Sequence, residues 1–128
     1  MKQVTLSSIV IRYNGNGRKL GYPTANLKVE TDLKDGVYFG YANLAGYANH
    51  PAMIFIGVPT SMGDTGRRVE AHLLDITDRD YYDLPIRLDI RNYHRPNQTF
   101  ANIDALLGAI KADEAAARHW FSSGSDRT

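Results

Sequence analysis

The chain has 128 residues, enough for one domain with a single hydrophobic core. Apolar content of 43% and charge of 23% are ordinary for a soluble globular protein, and a net charge of +1 gives no footprint of a nucleic-acid binder. There is no cysteine, which excludes disulfides and thiolate metal sites and is compatible with a reducing compartment.

In chain order, the first apolar run is too short for a signal peptide or a membrane span, so a cytoplasmic enzyme or binding module is expected. Val4 to Tyr13 (VTLSSIVIRY) is rich in β-branched residues and stops at the turn signal Asn14-Gly15, which predicts a strand. A loop follows, then a short strand over NLKVE, broken by TDLKDG. GVYFGYANLAG and YANHPAMIFIG predict a hairpin with Gly46 near its turn. VPTSMGDTG is loop chemistry. RRVEAHLLDI and LPIRLDIRNYH alternate apolar and polar residues, as half-buried strands do. From Asn102 the period changes. Ile103, Leu107, Ile110, Ala117 and Phe121 recur at helical spacing, with Asn102 as N-cap and Asp104 in the first turn. The Leu107 and Ile110 face is expected to be buried, and Trp120 and Phe121 to pack the helix. The tail SSGSDRT is expected to be disordered. Short strands followed by one helix predict a small antiparallel barrel closed by a C-terminal helix, in one domain over 1–121.

The loop GNGRKLGYPTAN carries three glycines, two cations and a proline in residues 15–26. Glycines allow close backbone approach, and exposed N–H groups in such a loop form a concave anion site, with Arg18 and Lys19 adding charge. No Ser or Thr follows the lysine, so this is not a P-loop. Pro23 stiffens the segment, leaving the Thr24 hydroxyl and Asn26 amide oxygen on one side if it is extended. Both are hard neutral oxygens suited to Mg²⁺ that already carries phosphate. They could equally bond local backbone, and the residues alone leave both roles open.

GNGRKLGYPTANL resembles the loop of riboflavin kinases, whose pattern is roughly G-x-G-R-x-x-L-G-x-P-T-A-N. DGVYFGYANL, AMIFIG, VEAHLLD, DYYDLPIRLDI, RPNQTF and IDALLGAIKADEAAAR resemble the family's later segments in order, from about Ser8 to Arg118. The resemblance implies an all-β fold with a C-terminal helix, a six-stranded antiparallel riboflavin-kinase-like barrel. It implies transfer of the γ-phosphoryl of ATP to the ribityl 5′-hydroxyl of riboflavin, giving FMN and ADP with Mg²⁺ or another divalent cation. Thr24 and Asn26 match positions that bind metal and nucleotide phosphates. Gly17 and Arg18 match the phosphate-facing loop. Glu70 matches the catalytic carboxylate, with His72 a hydrogen-bonded neighbour; alternation puts both on the strand face opposite Val69, Ala71 and Leu73. Without the resemblance, Glu70 reads as a solvated glutamate paired with Arg67 or Arg68. Leu73, Asp75 and Tyr82 match the nucleotide site, and Arg95, Gln98 and Phe100 match flavin-contacting positions. Tyr82 also suits a half-buried sheet aromatic, Phe100 a cap on the helix core, and Arg95 a surface cation.

The chain departs from the pattern in places. Tyr13 stands where a glycine is usual and Asn16 where an arginine is common. IGVPTSMGD is one residue shorter than I-G-x-N-P-T-F and lacks its asparagine. Asp83, His94 and Gln98 replace a glycine, a leucine and a lysine. These departures bear on affinity and nucleotide choice. Two other readings compete with an active kinase. One is a flavin- or nucleotide-binding module of the same fold with little or no kinase activity. The other is a small-barrel RNA binder, suggested by eight tyrosines and opposed by near-neutral charge. Expected partners are small molecules, with no nucleic acid and no membrane. The expected state is a monomer, with any adenylyltransferase that makes FAD on another chain.

Overall fold

The computed structural model describes residues 3–11, 24–58, 67–77 and 80–123. They fall into two compact units, one ending at Asn97 and the other beginning at Gln98.

The first unit is a closed antiparallel barrel of six strands: β1 (Val4–Ile11), β2 (Ala25–Leu27), β3 (Gly36–Leu44), β4 (Tyr47–Gly57), β5 (Arg68–Leu73) and β6 (Pro85–Arg95). Around the barrel they follow the order β1-β2-β5-β4-β3-β6. Closure gives every strand a partner on both sides over part of its length, which suits a small all-β unit. Alternation explains the interior. Leu6 and Val10 of β1, Ala25 and Leu27 of β2, and Val69, Ala71 and Leu73 of β5 point inward. Ala52, Ile54 and Ile56 of β4, Tyr38 of β3, and Ile86, Leu88 and Ile90 of β6 complete the core. Gly40 marks a close approach in the wall, because a Cβ there would stand 2.2 Å from the Asp89 carbonyl oxygen.

The outer face of the wall is not uniformly wet. Val37, Phe39 and Met53 alternate with interior residues and stand outside the core cluster, yet each is buried. Phe39 stacks on His94 with ring centroids 4.7 Å apart.

Most predicted elements are present, with shifted ends. The strand predicted over NLKVE begins at Ala25 and stops at Leu27, because its partner β5 starts at Arg68 and their pairing ends at Leu27–Val69. The chain beyond it is then held by Arg67. Its guanidinium donates to the Thr31 carbonyl at 2.7 Å, to the Leu33 carbonyl and to Asp35 Oδ1 at 2.7 Å. The hairpin turn is Ala45-Gly46, and the positive φ falls on Ala45 (53°).

The second unit carries α1 (Ile103–Ser122). Asn102 caps it as predicted, its Oδ1 accepting the Ala105 N–H at 2.8 Å, and Asp104 lies in the first turn. The apolar stripe is less covered than its spacing implies. Ile103 is 62% exposed, Leu107 and Ile110 are half-buried, and Ala117 and Asp113 are buried. Trp120 and Phe121 meet edge to face at 5.0 Å. Among the described residues no helix is long and apolar enough to cross a membrane.

Candidate active site

Strand pairing lays one row of residues across the outside of the barrel, from β1 at one end to β6 at the other. Ile11 pairs with Asn26, Asn26 with Glu70, Glu70 with Phe55, Phe55 with Val37, and Val37 with Arg95. Directly opposed residues of an antiparallel ladder share a face. Because Ala25, Leu27, Val69, Ala71, Ile54 and Ile56 fill the interior, Asn26, Glu70 and Phe55 face outward.

Asn26 is only 4% exposed, and its Oδ1 is buried with no hydrogen-bond donor. A buried amide oxygen without a donor is costly, so an unmet acceptor signals a missing partner. Thr24, half-buried, precedes β2 by one residue and lies two residues from Asn26. Among the described residues no group of three His, Cys, Asp or Glu side chains could cage a metal. The buried Asn26 oxygen without a donor is a neutral oxygen of the kind a cation already carrying phosphate and water accepts.

Glu70 is half-buried and makes neither a hydrogen bond nor an ion pair among the described residues. Burial raises its pKa above the usual carboxylate range, and the Arg68 guanidinium opposes that shift. Arg67 is not its partner, being engaged with Asp35 and two loop carbonyls. His72 lies on the same outward side of β5, 7% exposed and opposite Met53.

The remaining sequence-derived candidates scatter around this centre. The Leu73 side chain is turned into the core and is 1% exposed. Asp75 is exposed in the turn after β5, with φ 61°. Tyr82 is half-buried and packs against the core. Its turn is pinned to β1: Asp83 N–H donates to the Val10 carbonyl at 2.8 Å, and Val10 N–H donates to the Leu84 carbonyl at 2.9 Å. That anchor is one residue from Ile11, the partner of Asn26. Arg95 ends β6 with its Nη1 on the Pro96 carbonyl at 2.9 Å. Gln98 is exposed and Phe100 half-buried, both in the second unit. Gly17 and Arg18 lie outside the described residues, as do Tyr13, Asn16 and most of the shortened 57–64 loop.

The structure thus pairs Asn26 with Glu70 and leaves Thr24 one residue before β2. Asp75 and Tyr82 lie in the β5–β6 connection at one end of the barrel, and Arg95 lies at the other. One residue escaped the sequence reading. Phe55 faces outward beside Glu70, and the alternation of Ile54-Phe55-Ile56 carried that signal, but its neighbour became visible only with the register.

Residues 1–121 match the family model described as Flavokinase, riboflavin kinase. The chain is 29% identical over 116 residues to human riboflavin kinase, covering 85% of this chain and 75% of that one. It is 31% identical over 118 residues to the bifunctional riboflavin kinase/FMN adenylyltransferase of Escherichia coli K12, covering 91% of this chain but 37% of that one. The crystal structure of riboflavin kinase from Trypanosoma brucei superposes with a TM-score of 0.73 at 21% identity, over 95% of this chain and 82% of that one. At that identity the likeness is one of fold.

Proposed function

We propose, from the premise that this chain belongs to the riboflavin kinase family, that it transfers the γ-phosphoryl group of ATP to the terminal ribityl hydroxyl of riboflavin, giving FMN and ADP. The observation that carries the site assignment is the pairing of Asn26, a buried acceptor without a donor, with Glu70, a half-buried carboxylate without a hydrogen-bond donor among the described residues.

Phosphoryl transfer asks the protein to position two substrates and to balance charge that builds at the transferring group. Thr24 and Asn26 would hold the divalent cation, Mg²⁺ in the simplest case, on the β2 side of Glu70. When bound, that ion would neutralise charge on the β- and γ-phosphates. Glu70 then orients the acceptor hydroxyl and takes its proton as the oxygen attacks phosphorus. Its raised proton affinity suits the task, since a base works best with a pKa nearer the operating pH. The donor side is assigned to β2 and to the turn of Tyr82, and the acceptor side to β4 and the end of β6 at Arg95. A module that only bound flavin would gain nothing from a half-buried carboxylate whose proton affinity stays raised despite Arg68.

Incubation with riboflavin, ATP and Mg²⁺, followed by chromatography, tests the reading. FMN should appear only when all three are present. No FMN above the protein-free control overturns it.

A further inference from the structure

Three consecutive members of the outward row have hydrogen-bonding or stacking capacity that nothing in the described structure uses. Asn26 offers an oxygen without a donor, Glu70 a carboxylate without a donor, and Phe55 an aromatic ring without a ring or cation against it. They come from three adjacent strands and lie side by side. The other aromatic side chains around the barrel contrast with Phe55. Tyr38 meets Tyr93 at 5.2 Å, Phe39 stacks on His94 at 4.7 Å, and Tyr47 meets His50 at 5.1 Å.

We propose that Phe55 is the acceptor-side platform of the site, the ring on which the flavin's aromatic system rests where it joins the ribityl chain. This rests on the kinase reading and deepens it by naming a residue that selects the acceptor. Adjacent strands stand about 5 Å apart, so Phe55 is displaced from Glu70 by roughly one strand spacing. A five-carbon ribityl chain, six bonds from its terminal hydroxyl oxygen to the ring nitrogen that carries it, spans up to roughly 7.5 Å when extended, judged from ordinary bond lengths. With the hydroxyl at Glu70, the flavin ring begins over Phe55. Asn26 and the phosphate donor occupy the opposite flank of Glu70, so the two substrates approach the base from different strands. A flat apolar ring on a protein aromatic gains from offset stacking in addition to the area it buries. The side chain is half-buried, which leaves one part for packing and another to meet a ligand.

Riboflavin titrated into the protein at saturating ADP and Mg²⁺, read by quenching of flavin fluorescence, tests the assignment. Phe55→Ala should weaken riboflavin binding about tenfold or more and leave ADP–Mg²⁺ affinity unchanged. Phe55→Leu, which keeps apolar volume and spares the fold if the alanine variant does not survive, should lose about threefold. Phe55→Tyr should stay within about twofold. A folded Phe55→Ala or Phe55→Leu variant with native riboflavin affinity overturns the proposal. So does an equal loss for both ligands, which would mark Phe55 as a packing residue. Native protein that binds riboflavin through Phe55 but forms no FMN would sustain this assignment and sink the kinase reading. Native protein that does not quench riboflavin at all overturns both.

Discussion

Asn26 and Glu70 are cross-strand partners on β2 and β5, and both face away from the core that their neighbours Ala25, Leu27, Val69 and Ala71 build. The same alternation that commits one side of these short strands to packing delivers an acceptor and a carboxylate, side by side, to the other. Closure of the barrel holds them there, since β2 is only three residues long and is flanked by β1 and β5.

Asn26→Leu separates structure from function at this position. The buried Oδ1 has no donor, so replacing the amide with an apolar group of similar volume removes an unmet acceptor. Stability by denaturant unfolding should stay within about 1 kcal/mol of the native value or rise. Metal-dependent nucleotide binding, measured calorimetrically with ADP and Mg²⁺, should fall at least about tenfold, the loss associated with a metal's immediate surroundings. Thr24→Ala should act in the same direction, with riboflavin binding less affected. Normal nucleotide affinity in both variants would remove the metal assignment.

The wall of the barrel makes a second prediction. A Cβ at Gly40 would meet the Asp89 carbonyl oxygen at 2.2 Å, and backbone in a paired strand cannot step aside as a flexible side chain can. Gly40→Ala should therefore destabilise the protein by about 1–3 kcal/mol or more, as overpacking does. Thermal melting of the variant checks it. Native stability would mean that β3 and β6 do not pair as closely as the register requires.

The helix unit is tested through its cap. Asn102 Oδ1 accepts the Ala105 N–H at 2.8 Å, and Asn102→Ala should cost about 1 kcal/mol. Leu107→Ala should cost less than the 2–5 kcal/mol of a fully packed leucine, because Leu107 is only half-buried. Chemical unfolding followed by far-UV circular dichroism reads both.

How far this was legible in the sequence differs by element. The long strands, the helix and its cap followed from alternation, helical spacing and Asn102. β2 was misplaced because its end is fixed by a partner, the first residues of β5, and not by its own composition. Ile103 fits the helical spacing but is exposed, since periodicity assigns a face without saying what covers it. Glu70 was placed on the right side of its strand by alternation alone. Leu73 was read for the nucleotide through its resemblance, although the same alternation sends its side chain inward. Arg67 looked like a partner for Glu70 from proximity in sequence. Three-dimensional closure gives it Asp35, Thr31 and Leu33 instead.

Glu70→Gln joins a kinetic test to a thermodynamic one. The amide keeps the size and one acceptor of the side chain but removes the proton sink. At saturating riboflavin and ATP, kcat should fall by about 10² or more while both substrates still bind. Stability should move the other way. Burial raises the folded-state pKa of Glu70 above its ordinary value of 4.5, so folding favours the protonated carboxyl. That preference supports the fold fully below the ordinary value and is lost as pH rises through the folded-state value. At neutral pH the native protein therefore carries a poorly solvated carboxylate, eased in part by Arg68, that the glutamine variant lacks. Glu70→Gln should melt higher than the native protein at pH 7, and the advantage should disappear as pH falls below 4.5, where both side chains are neutral. A glutamate that merely paired with a surface arginine predicts the reverse, a small loss of stability at neutral pH and native turnover. Melting curves across that pH range, together with FMN formation at pH 7, decide between the two. Native kcat in the folded variant would leave positioning by Thr24, Asn26 and the bound cation to carry the transfer without a protein base.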